Sequence, residues 1–155
     1  MENNNVSLRD VTKETLLSIC QLIGTADIEK EKLIASNAIA IAQAYFNKDH
    51  IFKAIYNNDI PVGFVMMQFG SSMSGKGKEF GAFLLRYMIA SPYQRQGFGK
   101  AAWYICEERI KARGFDKVFV AYNKEVDGSQ EFLESLGFAK SGRFVEGKTE
   151  AILKF

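Results

Sequence analysis

The chain has 155 residues, 47% of them hydrophobic, which suits one compact domain, residues 1–155, with a core that needs no metal or disulfide staple. Twenty lysines and arginines against 18 acids leave a formal charge of +2 with no basic run, so neither nucleic acid nor a membrane surface is an expected partner. Two distant cysteines and a single histidine, His50, exclude a metal cluster and a Ser-His-Asp triad as expectations.

Residues 1–5 are polar and lack an apolar signal core. No apolar run is long enough to span a bilayer, so a cytoplasmic, reducing setting is expected, with Cys20 and Cys106 as buried thiols. Val6, Leu8 and Val11 predict a short first strand. Thr12 is placed to cap a helix bearing Leu16, Leu17, Ile19, Cys20 and Ile23, which Gly24 ends. After the polar stretch 25–32, Leu33, Ile34, Ala38, Ile41, Ala42 and Tyr45 recur at helical spacing. His50 precedes a strand over 51–56. Asn57-Asn58-Asp59 is turn chemistry, and a strand over 62–69 completes a hairpin. Residues 70–81 are expected to form a flexible, solvated connection. Gly70, Gly75 and Lys76 approach a P-loop spacing, but Gly77 stands where a magnesium-binding hydroxyl is needed and no helix pattern follows.

A long apolar strand over 83–89, interrupted by Arg86, leads into a loop over 90–96. A helix then runs from Gly97 to Arg113, with Ala102, Ile105, Cys106 and Ile110 on one face. Lys111 and Arg113 suit its negative end, and Gly114 is a stop. A strand over 118–122 follows. Asp127 and Gln130 resemble a capping box for a short helix carrying Phe132, Leu133 and Leu136, ended by Gly137. Strands over 138–145 and 149–155 meet at Glu146-Gly147. The order β-α-α-β-β-β-α-β-α-β-β predicts a mixed α/β domain with an antiparallel front half.

The chemistry is expected at Gln94-Arg95-Gln96-Gly97-Phe98-Gly99-Lys100, between an apolar strand and an amphipathic helix. Such a junction aims unpaired N–H groups and the positive helix end at one point, where phosphate oxygens bind. Gly97 and Gly99 leave the backbone open to a pyrophosphate, and Arg95 and Lys100 add positive charge.

The spacing Gln94-x-x-Gly97-x-Gly99 after a strand resembles the acetyl-CoA signature of the GNAT superfamily of N-acetyltransferases, and the order of elements is similar along nearly the whole chain. The resemblance implies a GNAT-like fold: a central, mostly antiparallel sheet with one splayed strand pair, flanked by helices. It implies acetyl-CoA as cosubstrate, with no metal. Main-chain groups of Tyr87, Met88 and Ile89 would lie beside the thioester. Gln94, Arg95, Gln96, Gly97, Phe98, Gly99 and Lys100 would hold the pyrophosphate, and Asn123 would contact the cofactor. In many relatives a tyrosine four residues before the helix-ending glycine protonates the leaving thiolate. Counting back from Gly137 gives Leu133, beside Phe132, so the general acid is unassigned, with Tyr122, Tyr87 and water as alternatives. The general base is unassigned too: Glu79, Asp27, Glu29 and Glu31 are the nearest acids, and solvated loop charge is their ordinary role.

At finer grain, residues 34–37, 44–45, 54–56, 61–66, 86–89, 93–94 and 99–102 look like the bacterial spermine/spermidine acetyltransferase branch, which implies a polyamine acceptor and an acidic cleft. Another primary amine, such as a peptide N-terminus, an amino sugar or a drug, stays open, as does a catalytically silent acetyl-CoA-binding domain. A homodimer pairing through apolar C-terminal strands, with Ala151, Ile152, Leu153 and Phe155, is expected. Transfer is expected to be direct, because neither cysteine has a histidine partner.

Overall fold

A computed structural model describes residues 5–24, 36–74, 77–126 and 128–155. Its elements are β1 (Val6–Arg9), α1 (Leu16–Cys20), α2 (Ser36–Phe46), β2 (His50–Asn57), β3 (Ile60–Ser74), β4 (Gly77–Ile89), a 3-10 turn (Ser91–Tyr93), α3 (Phe98–Ala112), β5 (Lys117–Tyr122), α4 (Ser129–Ser135), β6 (Ala139–Val145) and β7 (Lys148–Lys154). The strands form one sheet in the order β1-β2-β3-β4-β5-β7-β6. Every neighbouring pair is antiparallel except β4 and β5, which α3 connects as a parallel crossover. Tight turns fix the hairpins: Asn58 (φ 52) turns β2 into β3, and Glu146 (φ 50) with Gly147 (φ 79) turns β6 into β7.

Alternation along the strands feeds two cores, one on each face of the sheet. On the α3 face, Val62, Met67, Leu84, Val118, Val120 and Ala151 pack with Phe98, Trp103, Cys106 and Ile110 of α3 and Leu133 of α4. On the other face, Ala54, Phe64, Met66 and Met88 pack with Ile19 of α1 and Ala40 of α2. The second face is called here the α1/α2 face.

Four expectations change. Residues 70–81 are not a solvated connection over their described part: β3 and β4 stay paired from Gly70↔Gly81 out to Ser74↔Gly77. Cross-strand bonds there, and the Phe80 ring 5.2 Å from the Phe115 ring, outweigh a composition rich in Gly and Ser. Helix α1 stops at Cys20, and Ile23 is exposed beyond it. The cap of α4 is Gly128 in the left-handed region, and Gln130 spends its side chain on Glu134 at 2.9 Å. Strand β7 is interior, so Ala151 belongs to the core, and the Lys111 ammonium sits over the Phe155 ring at 4.8 Å. The sheet edge at that end is β6. Asp27, Glu29, Glu31, Leu33, Ile34, Gly75, Lys76 and Asp127 lie outside the described residues.

Candidate functional site

The parallel ladder between β4 and β5 has three pairs, Ala82↔Val118, Phe83↔Phe119 and Leu84↔Val120. At the next position β4 carries a bulge. Its register on β3 moves from Leu84↔Met67 to Arg86↔Met66, so Leu85 is the extra residue. A bulge bends its strand and increases the local twist. Past it, β4 runs to Ile89 on β3 alone, and β5 runs to Tyr122 on β7 alone. The facing edges of residues 85–89 and 121–122 have no ladder between them, so their backbone groups can serve a ligand.

The strand end is held in place. Ala90 N–H donates to Val62 O at 2.8 Å, and Gln94 Nε2 donates to Ile89 O at 2.9 Å. Arg95 (φ 64) and Gly97 (φ 86) are both left-handed, which curls the loop onto the start of α3. No side chain caps this helix and no acid lies in its first turn. Ala101 N–H donates to Gly97 O at 3.0 Å, so the N–H groups of Phe98, Gly99 and Lys100 have no acceptor within the helix. These three donors, the helix dipole and two cationic side chains make an anion site of the kind phosphates take.

A cavity of about 760 Å³ opens in front of this helix end. Of the residues that the resemblance gives as cofactor contacts, Tyr87, Met88, Ile89, Gln94, Arg95, Gly97, Gly99 and Lys100 line it. Gln96, Phe98 and Asn123 are not among its lining residues: Gln96 donates to Pro92 O at 3.2 Å, Phe98 is buried in the core, and Asn123 Oδ1 accepts from Glu125 N–H at 3.0 Å. Tyr93 and, from α4, Phe132 also line the cavity without having been expected there. The lining includes Tyr87 and Ile89, which pack toward α3, and Arg86 and Met88, which lie on the opposite face of β4. The cavity therefore passes through the sheet at the unpaired strand ends.

A profile of the acetyltransferase (GNAT) family matches residues 19–138. The chain belongs to this family. Solved GNAT-fold structures resemble it over nearly its full length. They include PaiA N-acetyltransferase from Thermoplasma acidophilum in complex with coenzyme A (TM-score 0.71, 16% identity, 97% of this chain and 99% of that one). An acetyltransferase from Thermus thermophilus (TM-score 0.69, 18% identity) covers 97% of both chains. A GNAT family acetyltransferase from Brucella melitensis in complex with acetyl-CoA has a TM-score of 0.68 and 10% identity, over 99% of this chain and 90% of that one. At these identities the likeness is one of fold. No curated protein sequence matches the chain.

The side chains weighed as proton donors are placed as follows. Leu133 is core, whereas its neighbour Phe132 forms the cavity wall, its ring stacked on Tyr87 at 5.9 Å. Tyr87 Oη donates to Gly99 O at 2.6 Å, and burial, then Cys106, holds its phenol well above the usual range. The hydroxyl thus braces the helix start against β4. Tyr122 packs into the α3-face core outside the cavity lining, its phenol raised by burial and by Glu134 and Glu131. Burial pushes the Cys106 thiol up to about 12 and also raises Cys20, so neither is a ready thiolate.

On the α1/α2 face, fully buried Asn37 joins three elements: its Nδ2 donates to Ile19 O at 2.9 Å, and its Oδ1 accepts from Arg86 Nε at 2.7 Å. Arg86 also lines a second cavity, of about 450 Å³, with Gln43, Asn47, His50 and Gln68. Glu79 lies seven positions up β4 from Arg86, about 23 Å at strand rise, too far for proton transfer. A buried carboxylate, Glu150 of β7, lies on this same face. The sequence hinted at Arg86 by placing a charge in an apolar strand, and at Glu150 by placing one beside Ala151, Ile152 and Leu153. A lone charge in a strand more often marks the solvent face, which is why neither stood out.

Proposed function

We propose that the chain transfers the acetyl group of acetyl-CoA to a primary amine, a polyamine such as spermidine or spermine, by direct attack in a ternary complex. The observation that carries the reading is the sheet opening beyond Leu84↔Val120, which leads from the uncapped start of α3 through to the α1/α2 face. The pyrophosphate binds the N–H groups of residues 98–100, and the pantetheine arm takes up the strand-edge groups of β4. The thioester then lies in the opening, where a β4 amide polarises its carbonyl and stabilises the developing oxyanion. The amine arrives from the α1/α2 face. It attacks as the neutral base and loses a proton after the bond forms, since an alkylammonium near pKa ~10.4 carries no lone pair.

The leaving thiolate takes up a proton. With a thiol pKa near ~8.5 it is a tolerable leaving group, and water supplies that proton where Phe132 and the committed Tyr87 cannot. Orientation of the bound thioester supplies much of the acceleration. The polyamine acceptor is supported by the residue-level likeness of β4 and the loop that follows it to the spermine/spermidine branch. The test is thiol release from acetyl-CoA across an amine panel. Saturable release with spermidine is expected. Release only with peptide N-termini or amino sugars would replace the acceptor, and no release with any amine would sink the transfer.

A further inference from the structure

Arg86 lines both cavities, so the 450 Å³ cavity lies beside the opening where the thioester is placed. One wall is the α1/α2 face of the sheet: His50 of β2 and Gln68 of β3, which pair across their ladder, and Leu85, the bulge residue of β4. The facing wall is Gln43 in the C-terminal part of α2, with Asn47 just past its end. Met88, in the opening, pairs with Phe64, and Gln68 lies four residues further along β3 on the same face. Four strand residues span about 13 Å, so the Gln68 end of the cavity is that far along the sheet from the thioester.

That end is furnished with hydrogen-bond acceptors. Among the described residues it holds the amides of Gln43, Asn47 and Gln68 and the imidazole of His50, with no carboxylate. Asn47 Nδ2 donates to Gln43 O at 2.8 Å, which leaves its Oδ1 to accept. Gln68 Oε1 has a long contact with Ser72 Oγ, 3.5 Å, and keeps a lone pair. His50 Nδ1 is closed off from solvent and has no partner. A buried nitrogen in that condition is costly. A half-turn of the ring keeps its outline and carries Nδ1 to the other edge, so a ligand can supply what the protein does not. Helix α2 also ends here. Its last carbonyls have no partner within the helix and its last turn carries no basic side chain, so the cavity meets the negative end of the helix dipole. Lys48, in the turn that follows, is exposed and outside the lining. An ammonium, with three N–H donors and no acceptor, suits these lone pairs and this helix end, and an anion does not.

Resting on the polyamine reading above, we propose that this cavity seats the distal ammonium of the acceptor, on Gln68, Asn47 and His50 at the end of α2, and that it selects acceptors by length. An extended chain advances ~3.3–3.6 Å for every three bonds. The nine bonds between the end nitrogens of spermidine therefore cover roughly 10–11 Å. A hydrogen bond of ~3 Å completes the distance from the thioester to the Gln68 end. The five bonds of putrescine cover roughly 6 Å, so its second nitrogen stops short of these groups.

The test is calorimetric titration of three amines into the coenzyme A-loaded protein, which cannot turn over. They are spermidine, putrescine and 1,8-diaminooctane, the last with the length of spermidine and the two charges of putrescine. The parent is expected to bind both long amines at least tenfold more tightly than putrescine. Gln68→Met and His50→Phe keep the side-chain bulk and remove the acceptor atoms. Each is expected to weaken the long amines at least fivefold while putrescine and coenzyme A bind as before. Folded variants that keep the parent's preference overturn the proposal, and so does an equal loss for long and short amines, which would mark the residues as structural. A parent that binds 1,8-diaminooctane no better than putrescine overturns it with no variant needed, so the matter is decided even if both variants fail to fold. A parent that shows the length preference yet releases no thiol refutes the acetyl transfer and upholds the ammonium seat. A parent that acetylates other amines and binds none of the three refutes the seat and leaves acetyl transfer standing.

Discussion

Gly63 of β3 lies opposite Ile89 of β4, where β4 reaches the cofactor opening, and Gly63→Ala tests how tightly those strands must pack. A Cβ built there overlaps the Met88 carbonyl oxygen and falls 2.9 Å from Ile89 Cδ1 and 3.3 Å from Ile55 Cδ1. Unstrained carbon contacts begin near ~3.5 Å. The isoleucine tips can rotate away, but the carbonyl is backbone, so β4 must move off β3 and strain the Ala90–Val62 and Gln94–Ile89 hydrogen bonds. Overpacking of this kind costs about 1–3 kcal/mol, here toward the upper end. The reduced freedom of the unfolded chain returns about 0.4–1 kcal/mol. A net loss of roughly 2 kcal/mol lowers Tm by about 4–8 °C in a chain of this size. The catalytic loss should be larger, because a misplacement of ~1 Å at the reacting centre can cost about 100-fold. Scanning calorimetry reads the first effect, and thiol-release kcat/KM the second. An unchanged Tm together with an unchanged kcat/KM would refute both the steric reasoning and the placement of the thioester on β4.

Gly97→Val puts a branched side chain at φ 86, costs at least about 1 kcal/mol of folding stability, and should lower acetyl-CoA affinity tenfold or more by titration calorimetry. Undiminished affinity would move the phosphates elsewhere. Tyr87→Phe removes the 2.6 Å bond to Gly99 O, worth about 0.5–1.5 kcal/mol, so KM for acetyl-CoA should rise while kcat stays within several-fold; a collapse of kcat would make Tyr87 the proton donor. Cys106→Ala should keep intersecting initial-velocity lines and most of its turnover, and acetyl label trapped on the parent protein without amine would contradict direct transfer. The same variant has a pH signature. Burial pushes the folded thiol up to about 12, against 9.0 for an exposed one, so its contribution is fully present below pH 9 and is lost as pH rises toward 12. The gap corresponds to about 4 kcal/mol at most, and urea midpoints of parent and variant should converge over that alkaline range.

The order of elements was legible because each is bounded by residues with a local reason to be there: Gly97 and Gly114 around α3, Glu146-Gly147 between the last strands. The cofactor loop was legible for the same reason, since Gly97, Gly99 and the flanking cations act through backbone geometry set within seven residues. What escaped is set by partners distant in sequence. The bulge at Leu85 depends on how β3 and β5 flank β4, and Leu85 itself is an ordinary strand residue. The extension of the β3–β4 hairpin through Ser71 and Ser72 depends on Glu79 and Phe80 opposite, and no residue in 70–74 advertises a strand. Asn37 reads as a helix-face polar residue until Ile19 and Arg86 close around it. Glu150 is the sharpest case. Its burial follows from the position of β7 between β5 and β6, which no pattern within residues 148–154 specifies.

Three residue pairs join the four-stranded half of the sheet to the three-stranded half. A pulling force applied between β1 and β7 runs through that short seam, which makes it the mechanical weak point of the sheet. A pantetheine arm lodged beside the seam, bonded to strand edges on both sides, would act as a splint. The load needed to tear the empty molecule apart in an optical trap should therefore be lower than that for the molecule with coenzyme A in place, and the first extension step should release the β5-β7-β6 half as a unit.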